Sequence, residues 1–539
     1  MQEGWWQLYR RDTLAGQTFN AKSEDEIVIE TSSPQQSVKT KTITRKPQLT
    51  DLMMSRWLLP LILVFQALIS WLLLQNTAFQ DEALYVYAGG QVWRHWLSGL
   101  PLLDPYNYYF SGYLYVYPII GGALDKVGGL ELVRSFSLVC MLIVTTCGYY
   151  VTKQLFNQKS AVFAAIFLVC QGPVLFLSRL ATYDALCLCL LAVGMALAVK
   201  ASLAQRPWWA LGIGPLLVLA FFTKYAGLLF IPSILATLAL CTLLRLGWRS
   251  MLVRGTLGVL SLAVVGTLAA MIVIHFDPTM LQGIAFTTTN RHTFGVDSRL
   301  GLVENVGEMV GLSFAVGLAG LVFARKKHLL LALLLLGSAL LVPAYHIYKA
   351  ELVSLDKHLG YSMFFVMPVA GYALASLSGF RRAFSSRRYW LPGVAICLIL
   401  FLVGAQGAQV MYSSWPSTTQ LAHVFSMQVR PASGSYLADQ LEVLRYDSQN
   451  DTYTWQWTGL DFFQYTDKQG HYYVGNDAYV KAINDGYFDL IQLNYGYYHL
   501  QTAILIARAI ENSKKYTLIA KIPSRDYYGT GYFWVWRKL

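Results

Sequence analysis

Charged residues are scarce in this chain. Asp, Glu, Lys and Arg make up 13% of its 539 residues, while hydrophobic residues make up 55%. Soluble domains carry about a quarter of their residues as charges, so the composition excludes an ordinary soluble globule. The mean hydropathy is positive, and together these values indicate a polytopic membrane protein.

Cysteine is also scarce, and its positions exclude two kinds of small scaffold. No two cysteines form a Cys-x-x-Cys pair, and none lies after residue 412. The sequence therefore indicates neither a disulfide framework nor a zinc site, and we expect the cysteines to be small buried apolar side chains. They are Cys140, Cys147, Cys170, Cys187, Cys189, Cys241 and Cys397.

No secretory signal is recognisable at the start of the sequence. About fifty polar residues, including SEDEIVIETSSPQQSVKTKTITRKPQ, precede the first apolar run, whereas in a signal peptide the apolar region follows a short basic segment. We predict that residues 1–55 form a disordered cytoplasmic tail.

Long apolar runs are abundant after this tail. A spanning helix needs about 20 apolar residues, and the runs between Trp57 and Tyr412 predict about eleven spans. The runs around Lys224 and Pro343 are short or interrupted. An odd number of spans places the two termini on opposite sides of the membrane.

Lysine and arginine are concentrated in alternate loops. They occur in KQLFNQK (153–159), around Arg206, from Arg245 to Arg254, in ARKKH (324–328) and in RRAFSSRR (381–388). The positive-inside rule makes these loops and the N-terminus cytoplasmic in a plasma (inner) membrane. Residues 413–539 contain eleven basic and eleven acidic residues, so the basic balance reflects topology, and we predict no nucleic-acid partner.

Two adjacent carboxylates, Asp81 and Glu82, follow the first span on the predicted outer side. Apolar residues then repeat every four positions from Leu84 to Trp96. This pattern predicts an amphipathic helix in the membrane interface, with Trp93 and Trp96 as headgroup anchors. One interpretation of the carboxylates is structural, because Asp81 can cap the helix and Glu82 can favour its first turn.

Three more ionisable residues lie where outer loops meet spans. The segment SRLATYDALCL contains Arg179 and Asp184, and FFTKYAGLLFIP contains Lys224. Ionisable groups at membrane depth are costly and usually functional. The structural alternatives are that Arg179 snorkels, that Asp184 caps the following span and that Lys224 ends a helix.

In their order along the chain, these segments resemble the GT-C glycosyltransferases of the protein O-mannosyltransferase and aminoarabinose transferase type. The similarity rests on the carboxylate pair, RLATYDAL, TKYAGLLFIP and DKHLGYSMFFVMP (356–368), and covers about Trp57 to Tyr412. It implies a GT-C catalytic domain at residues 56–412. It also implies transfer, with inversion, of a sugar from a polyprenyl-phosphate donor to an acceptor hydroxyl of a glycan, lipid or protein on the outer side.

The same resemblance implies roles for individual residues. Asp81 would be the catalytic base, with Glu82 as the second catalytic carboxylate beside it. Lys357 and His358 stand where an Arg is common in the late segment. The resemblance assigns donor-phosphate binding to four basic residues: Arg179, Lys224, Lys357 and His358.

The implied reaction fits these residue types. Attack by a hydroxyl on an anomeric carbon needs a base, and phosphate leaves without the acid that glycoside hydrolysis requires. Fixed positive charge, from basic side chains or a metal, stabilises the leaving phosphate. The possible ligands of a divalent ion are Glu82, Asp184 and His292, and the sequence leaves the presence of a metal open.

Residues 413–539 are predicted to form a small extracytoplasmic α/β domain. The β-like runs YFDLIQL, YTLIAKI and GYFWVWRKL alternate with the helical stretch YHLQTAILIARAIENSKK, a pattern typical of an α/β layer. The many Tyr and Trp residues suit either recognition of an acceptor glycan or a compact aromatic core.

Two other classes of protein remain open from the sequence. A polytopic transporter also places charges near spans, although paired broken helices or internal repeats are expected there. The second class is a non-catalytic membrane scaffold with an outer binding domain. Convergence of Asp81, Arg179, Asp184 and Lys224 on one cavity would favour the transferase.

Overall fold

The computed structural model describes residues 49–287, 298–379, 391–495 and 499–539. Its contacts divide the chain into two units, Met1–Leu52 and Met53–Leu539. The predicted disordered tail falls largely outside the described residues. Everything below concerns the second unit, in which the apolar helices and the C-terminal residues are packed together.

The described residues up to Tyr412 are almost entirely helical. Their α-helices, in chain order, are α1 (Leu49–Leu73), α2 (Gln80–Ser98), α3 (Tyr117–Leu155), α4 (Gln158–Val169), α5 (Gly172–Leu177), α6 (Tyr183–Leu203), α7 (Ile213–Thr223), α8 (Ile231–Leu246), α9 (Trp248–Phe276), α10 (Met280–Ala285), α11 (Arg299–Val306), α12 (Leu312–Phe323), α13 (Lys326–Ala339), α14 (Leu341–Lys349), α15 (Leu355–Gly379) and α16 (Leu391–Tyr412).

The eleven predicted spans fall on apolar helices of the described chain, of which eight are long enough to cross a membrane. Within the described ranges, eight helical stretches are long and apolar enough to cross a membrane, and three shorter apolar helices, Trp57–Leu73, Gln158–Val169 and Pro207–Thr223, accompany them. Each predicted span overlaps one of the eleven. The seven cysteines are free and mostly buried, as expected.

Two of the basic loop residues, Arg245 and Arg254, lie at one end of the helices. Arg245 donates a hydrogen bond to the carbonyl of Gln154, and Arg254 donates to the carbonyls of Ala201 and Ala204 at 3.1 and 2.6 Å. These contacts join the ends of α3, α6 and α8 and the start of α9. Asp184 lies at the opposite end of α6, so the basic end and the acidic loop residues are on different sides of the helices.

Helices α2 and α3 pack closely because both carry glycine at their contact. A Cβ atom on Gly89 would overlap the backbone of Pro118 and Gly122, and a Cβ on Gly122 would overlap Gly89. Helix α3 then bends at Gly128–Gly129, where Gly129 has a φ of 66° that other residues rarely adopt. The contact fixes the position of α2, which carries both Asp81 and Glu82.

The residues after Tyr412 form the predicted α/β domain. Its main sheet has the order β2-β1-β5-β7-β6, in which β1 is parallel to β2 and β5 while β7 is antiparallel to β5 and β6. The strands are β1 (Tyr436–Ala438), β2 (Trp457–Thr458), β3 (Gln464–Thr466), β4 (Tyr472–Val474), β5 (Leu490–Leu493), β6 (Tyr516–Asp526) and β7 (Gly529–Lys538), and β3 pairs with β4. The helices are α17 (Thr419–Ser426), α18 (Leu441–Asp447), α19 (Asn476–Asp485) and α20 (Leu500–Ser513).

This C-terminal domain is attached to α2 and to the loop that follows it. On α18, Arg445 donates to Asp104 at 2.7 Å, and the hydroxyl of Tyr87 on α2 bonds that of Thr454 at 2.8 Å. Both Arg445 and Asp104 are largely buried. The C-terminal domain therefore packs directly on the helix that carries Asp81.

Helix α2 is buried in protein for most of its length, so its apolar face is not exposed to the membrane interface as the sequence predicted. Its residues from Glu82 to Val92 are buried, except Leu84, which is half-buried, because α3 and α18 both contact the helix. Trp93 donates to the carbonyl of Ile119 at 3.0 Å, so it contacts protein. The last turn is exposed, with Trp96 at 51%.

Candidate active site

The start of α2 directs Asp81 and Glu82 into different surroundings. Successive residues of an α-helix point about 100° apart, so adjacent side chains reach different neighbours. The backbone N–H of Phe79, the N-cap residue, donates to Glu82 Oε2 at 2.9 Å. The prediction that Asp81 caps the helix is therefore wrong, because Glu82 makes the capping contact.

Glu82 belongs to a group of four residues, here called the arginine cluster: Glu82, Glu131, Arg134 and Arg179. Arg134 donates to Glu82 from Nε at 3.0 Å and from Nη2 at 2.7 Å, the paired geometry that is strongest for a carboxylate. The backbone N–H of Ala181 adds a fourth hydrogen bond, at 2.7 Å. Glu82 is fully buried, and its acceptor positions are occupied.

Arg134 and Arg179 both bind Glu131 on α3. Arg134 donates to Glu131 at 3.0 Å, and Arg179 forms an ion pair with the other carboxylate oxygen. The guanidinium of Arg179 also stacks on the ring of Trp71 at 4.1 Å, a favourable cation–π geometry. Among the described residues, Nε and Nη1 of Arg179 have no hydrogen-bond partner.

Asp81 belongs to a second group, here called the lysine cluster: Asp81, Asp184, Lys224 and Lys357. Lys357 forms an ion pair with Asp81, and Lys224 forms one with Asp184. Lys357 also interacts electrostatically with Asp184, so the two pairs form one group. The Asp81 side chain is 27% exposed, whereas the other three are at most 6% exposed.

Tyrosines and histidines surround the lysine cluster. The hydroxyls of Tyr85 and Tyr183 are hydrogen-bonded at 2.7 Å, and burial raises the pKa of Tyr85 well above its ordinary value. Tyr361 donates to the carbonyl of Asp184 at 3.2 Å. His358 bonds through Nδ1 to Nε2 of a second histidine, His346, at 2.8 Å.

The residues predicted as metal ligands do not fit that role together. The lone pairs of Glu82 already accept four N–H hydrogen bonds, and Asp184 is paired with Lys224. His292 lies outside the described residues. Within the described part of the chain, no group of three His, Cys, Asp or Glu side chains is placed to hold an ion.

The structure thus divides the residues singled out from the sequence. Asp81, Asp184, Lys224 and Lys357 lie together, with His358 next to Lys357, while Glu82 and Arg179 belong to the arginine cluster. Sequence reasoning missed Arg134 and Glu131, although this i, i+3 charge pair inside an apolar helix was a visible signal. It also missed His346.

Comparison with known proteins agrees with this architecture. A family model described as dolichyl-phosphate-mannose-protein mannosyltransferase matches residues 124–271. ArnT from Cupriavidus metallidurans in the apo state is similar with a TM-score of 0.59 and 14% identity, over 90% of this chain and 98% of that one. The same protein bound to undecaprenyl phosphate gives 0.57 and 14%, over 89% and 97%.

A third similar structure is the archaeal oligosaccharyltransferase AglB from Archaeoglobus fulgidus, in complex with an inhibitory peptide and a dolichol-phosphate. Its TM-score is 0.51 at 12% identity, over 89% of this chain and 74% of that chain. No curated protein sequence matches the chain. These likenesses confirm the resemblance to GT-C glycosyltransferases: the chain has the GT-C fold and is a multi-pass membrane protein.

Proposed function

We propose that this protein is a membrane glycosyltransferase that moves a sugar, with inversion, from a polyprenyl-phosphate donor to an acceptor hydroxyl. The observation that carries the proposal is the lysine cluster. It places a partly exposed carboxylate, Asp81, beside two buried lysines in a GT-C fold. The Asp81 carboxylate can accept a proton at the same place where the two lysine ammonium groups attract a phosphate.

Asp81 is the proposed base. Lys357 engages Oδ2, and among the described residues Oδ1 has no hydrogen-bond partner, so it can accept the proton of an acceptor hydroxyl. The hydroxyl oxygen then attacks the anomeric carbon from the face opposite the phosphate. The bond from that carbon to the phosphate oxygen breaks with its electron pair, which leaves polyprenyl phosphate and an inverted glycoside.

Lys224 and Lys357 are the proposed partners of the donor phosphate. The lysine cluster contains two carboxylates and two ammonium groups, so it is neutral before the donor binds. Negative charge grows on the phosphate oxygen as it leaves, and fixed ammonium groups in a dry site stabilise it strongly. His358 lies next to Lys357 and keeps Nε2 without a partner in the described chain, so we assign it to the same phosphate.

Glu82 has a different proposed role from the one that the resemblance implied, whereas Arg179 keeps its predicted role. Glu82 has no free lone pair for a hydroxyl, and we propose that it positions Asp81 by fixing the start of α2. The role of Arg179 in donor binding stays a prediction, because its guanidinium pairs with Glu131 in the arginine cluster. Its two unpartnered N–H groups keep that prediction open to test.

One of the ArnT structures is bound to undecaprenyl phosphate, and the AglB structure is in complex with a dolichol-phosphate. Both support a polyprenyl phosphate as the carrier here. Arg245 and Arg254 lie at the end of the helices opposite Asp184, so the positive-inside rule favours a site on the outer side with the C-terminal domain. The acceptor is a glycan, lipid or protein, and the sugar a hexose or pentose. A metal requirement is not part of the proposal.

The test is mass spectrometry of lipids bound to the purified full-length protein. We expect a polyprenyl phosphate carrying one sugar on the wild type and, in larger amount, on Asp81→Asn, because that variant binds the donor without turning it over. Lys224→Ala should lose it. Phospholipid alone on all three proteins would contradict the donor class, and transport of a solute without transfer would favour the transporter.

A further inference from the structure

The order of the strands in the C-terminal sheet has a switch point at β1, where a crevice is expected. From β1 the chain continues to β2 on one side, and it later returns to β5 on the other side of β1. Both neighbours are parallel to β1. In open α/β sheets, ligands bind outside the carboxyl ends of the strands at such a switch point.

Polar residues occupy this position. Asp439 follows β1, Asp461 follows β2, and His499 is the N-cap residue of α20. His499 bonds Asp439 through Nδ1 at 3.1 Å and Asp461 through Nε2 at 3.0 Å. These two carboxylates raise the pKa of His499 to about 10, so its ring is an imidazolium that donates from both nitrogens at neutral pH.

Two amide side chains near these residues each leave one polar atom without a hydrogen-bond partner among the described residues. Gln492 on β5 is fully buried, and its Oε1 accepts from the backbone N–H of Gln440 at 2.8 Å, which fixes the orientation of the amide. Among the described residues, Nε2 of Gln492 and Oδ1 of Asn494 are buried without a hydrogen-bond partner. Buried polar groups of this kind cost free energy, and a polar ligand would satisfy them.

The carboxyl end of β1 lies near the start of α2, which carries Asp81. Helix α18 begins directly after Gln440, and Glu442 in its first turn accepts a hydrogen bond from Gln80, the neighbour of Asp81, at 3.2 Å. Leu493, the last residue of β5, pairs with Trp534, so the first residues of β7 extend beyond the carboxyl end of β5. The turn before them reaches the end of α16, where Tyr527 donates to the carbonyl of Ser413 at 2.7 Å.

We propose that this crevice, formed by Asp439, Asp461, Gln492, Asn494 and His499, binds a carbohydrate whose hydroxyl is the acceptor. This inference rests on the proposed transferase function and names the acceptor class.

The groups present favour a sugar over a peptide. Each sugar hydroxyl both donates and accepts a hydrogen bond, and the crevice offers an unpaired amide N–H₂, an unpaired amide oxygen and the Asp461 carboxylate, whose side chain is 72% exposed. Phe462, beside Asp461, is 62% exposed and presents an apolar ring to the C–H face of a sugar. An extended peptide that adds to a sheet pairs with a strand edge, which the carboxyl ends of the strands do not provide.

The experiment uses the full-length protein in lipid nanodiscs. Fluorescent wild-type protein is applied to an array of defined mono- to hexasaccharides and of Ser/Thr peptides, and undecaprenyl phosphate binding is measured separately. Asp461→Asn removes a charge from an exposed side chain, and Asn494→Ala removes the unpaired amide oxygen. Glu511→Gln is the matched control, because Glu511 is exposed and lies twelve residues along α20 from His499, about 18 Å away.

We expect the wild type to bind at least one carbohydrate, with affinity reduced at least tenfold in Asp461→Asn and in Asn494→Ala and unchanged in Glu511→Gln. Binding of undecaprenyl phosphate should be equal in all four proteins. Binding to peptides alone, to no glycan, or equally by the crevice variants and the wild type would overturn the proposal. If the wild type itself did not bind undecaprenyl phosphate, that result would instead contradict the proposed transferase function.

Discussion

Glu82 and Asp81 are neighbours in sequence, yet their carboxylates have opposite environments, one in the arginine cluster and the other in the lysine cluster. Glu82 is fully buried and accepts four N–H hydrogen bonds, two of them from Arg134. Asp81 is partly exposed and holds one ammonium group, on Lys357. A carboxylate with all its lone pairs occupied can only support structure, whereas one with a free oxygen can take a proton.

The largest expected difference between substitutions in the two clusters is in the free energy of unfolding. Glu82→Ala leaves the buried Arg134 guanidinium without its main partner, and removing one member of a buried ion pair typically costs about 3–5 kcal/mol. We expect a correspondingly large fall in the thermal unfolding midpoint of the purified protein. Asp81→Ala should cost less, because Lys357 keeps its interaction with Asp184.

Glu131→Ala is the control for this comparison, because the Glu131 side chain is 55% exposed and both of its arginines keep other contacts. Its unfolding midpoint should fall less than that of Glu82→Ala. Equal falls for Glu82→Ala and Asp81→Ala would show that the two clusters are energetically alike.

A second, smaller effect is expected on donor binding. Lys224→Ala removes one ammonium group from the lysine cluster, and a hydrogen bond to a charged group is worth about 1.5–3 kcal/mol. The affinity for undecaprenyl phosphate should therefore fall by about 10- to 100-fold, measured by native mass spectrometry, while Lys224→Arg restores part of it. Lys126→Ala, at an exposed lysine of α3, should bind normally. An unchanged affinity for Lys224→Ala would make Lys224 a structural residue.

The smallest effect concerns how the stability of the C-terminal domain depends on pH. The pKa of His499 is raised to about 10 in the folded protein, above the ordinary value of about 6.5. The stability it contributes is complete below pH 6.5 and is lost as the pH rises toward 10. The gap in unfolding midpoint between wild type and His499→Gln should thus narrow from pH 7 to pH 10. A constant gap would mean that His499 is not charged in the fold.

The sequence predicted most of the long helices and the strands β5, β6 and β7, because long apolar runs and short runs of apolar, aromatic and β-branched residues are local signals. The short strands β1 to β4 were not predicted. The sequence singled out Asp81, Asp184 and Lys224, which lie together in the fold, because isolated charges beside spans are conspicuous. It did not predict the separation of Asp81 from Glu82, since that depends on Arg134, which α3 brings to α2 only in the fold. The predicted exposure of α2 was wrong for a similar reason: the apolar repeat from Leu84 to Trp96 describes one face, while packing by α3 and α18 buries most of the helix.

The central claim is that Asp81 takes the proton while Glu82 holds the helix. The most direct measurement is the turnover of Asp81→Asn and of Glu82→Gln in one assay with a polyprenyl-phosphate sugar and an acceptor. The fraction of folded protein is measured for both variants, so that turnover is expressed per folded molecule. Loss of a general base lowers the rate by about 10² to 10⁴, so we predict that Asp81→Asn is folded, binds the donor and is nearly inactive. Glu82→Gln should lose folded protein but keep turnover per folded molecule. A folded Asp81→Asn with near wild-type turnover would contradict the account.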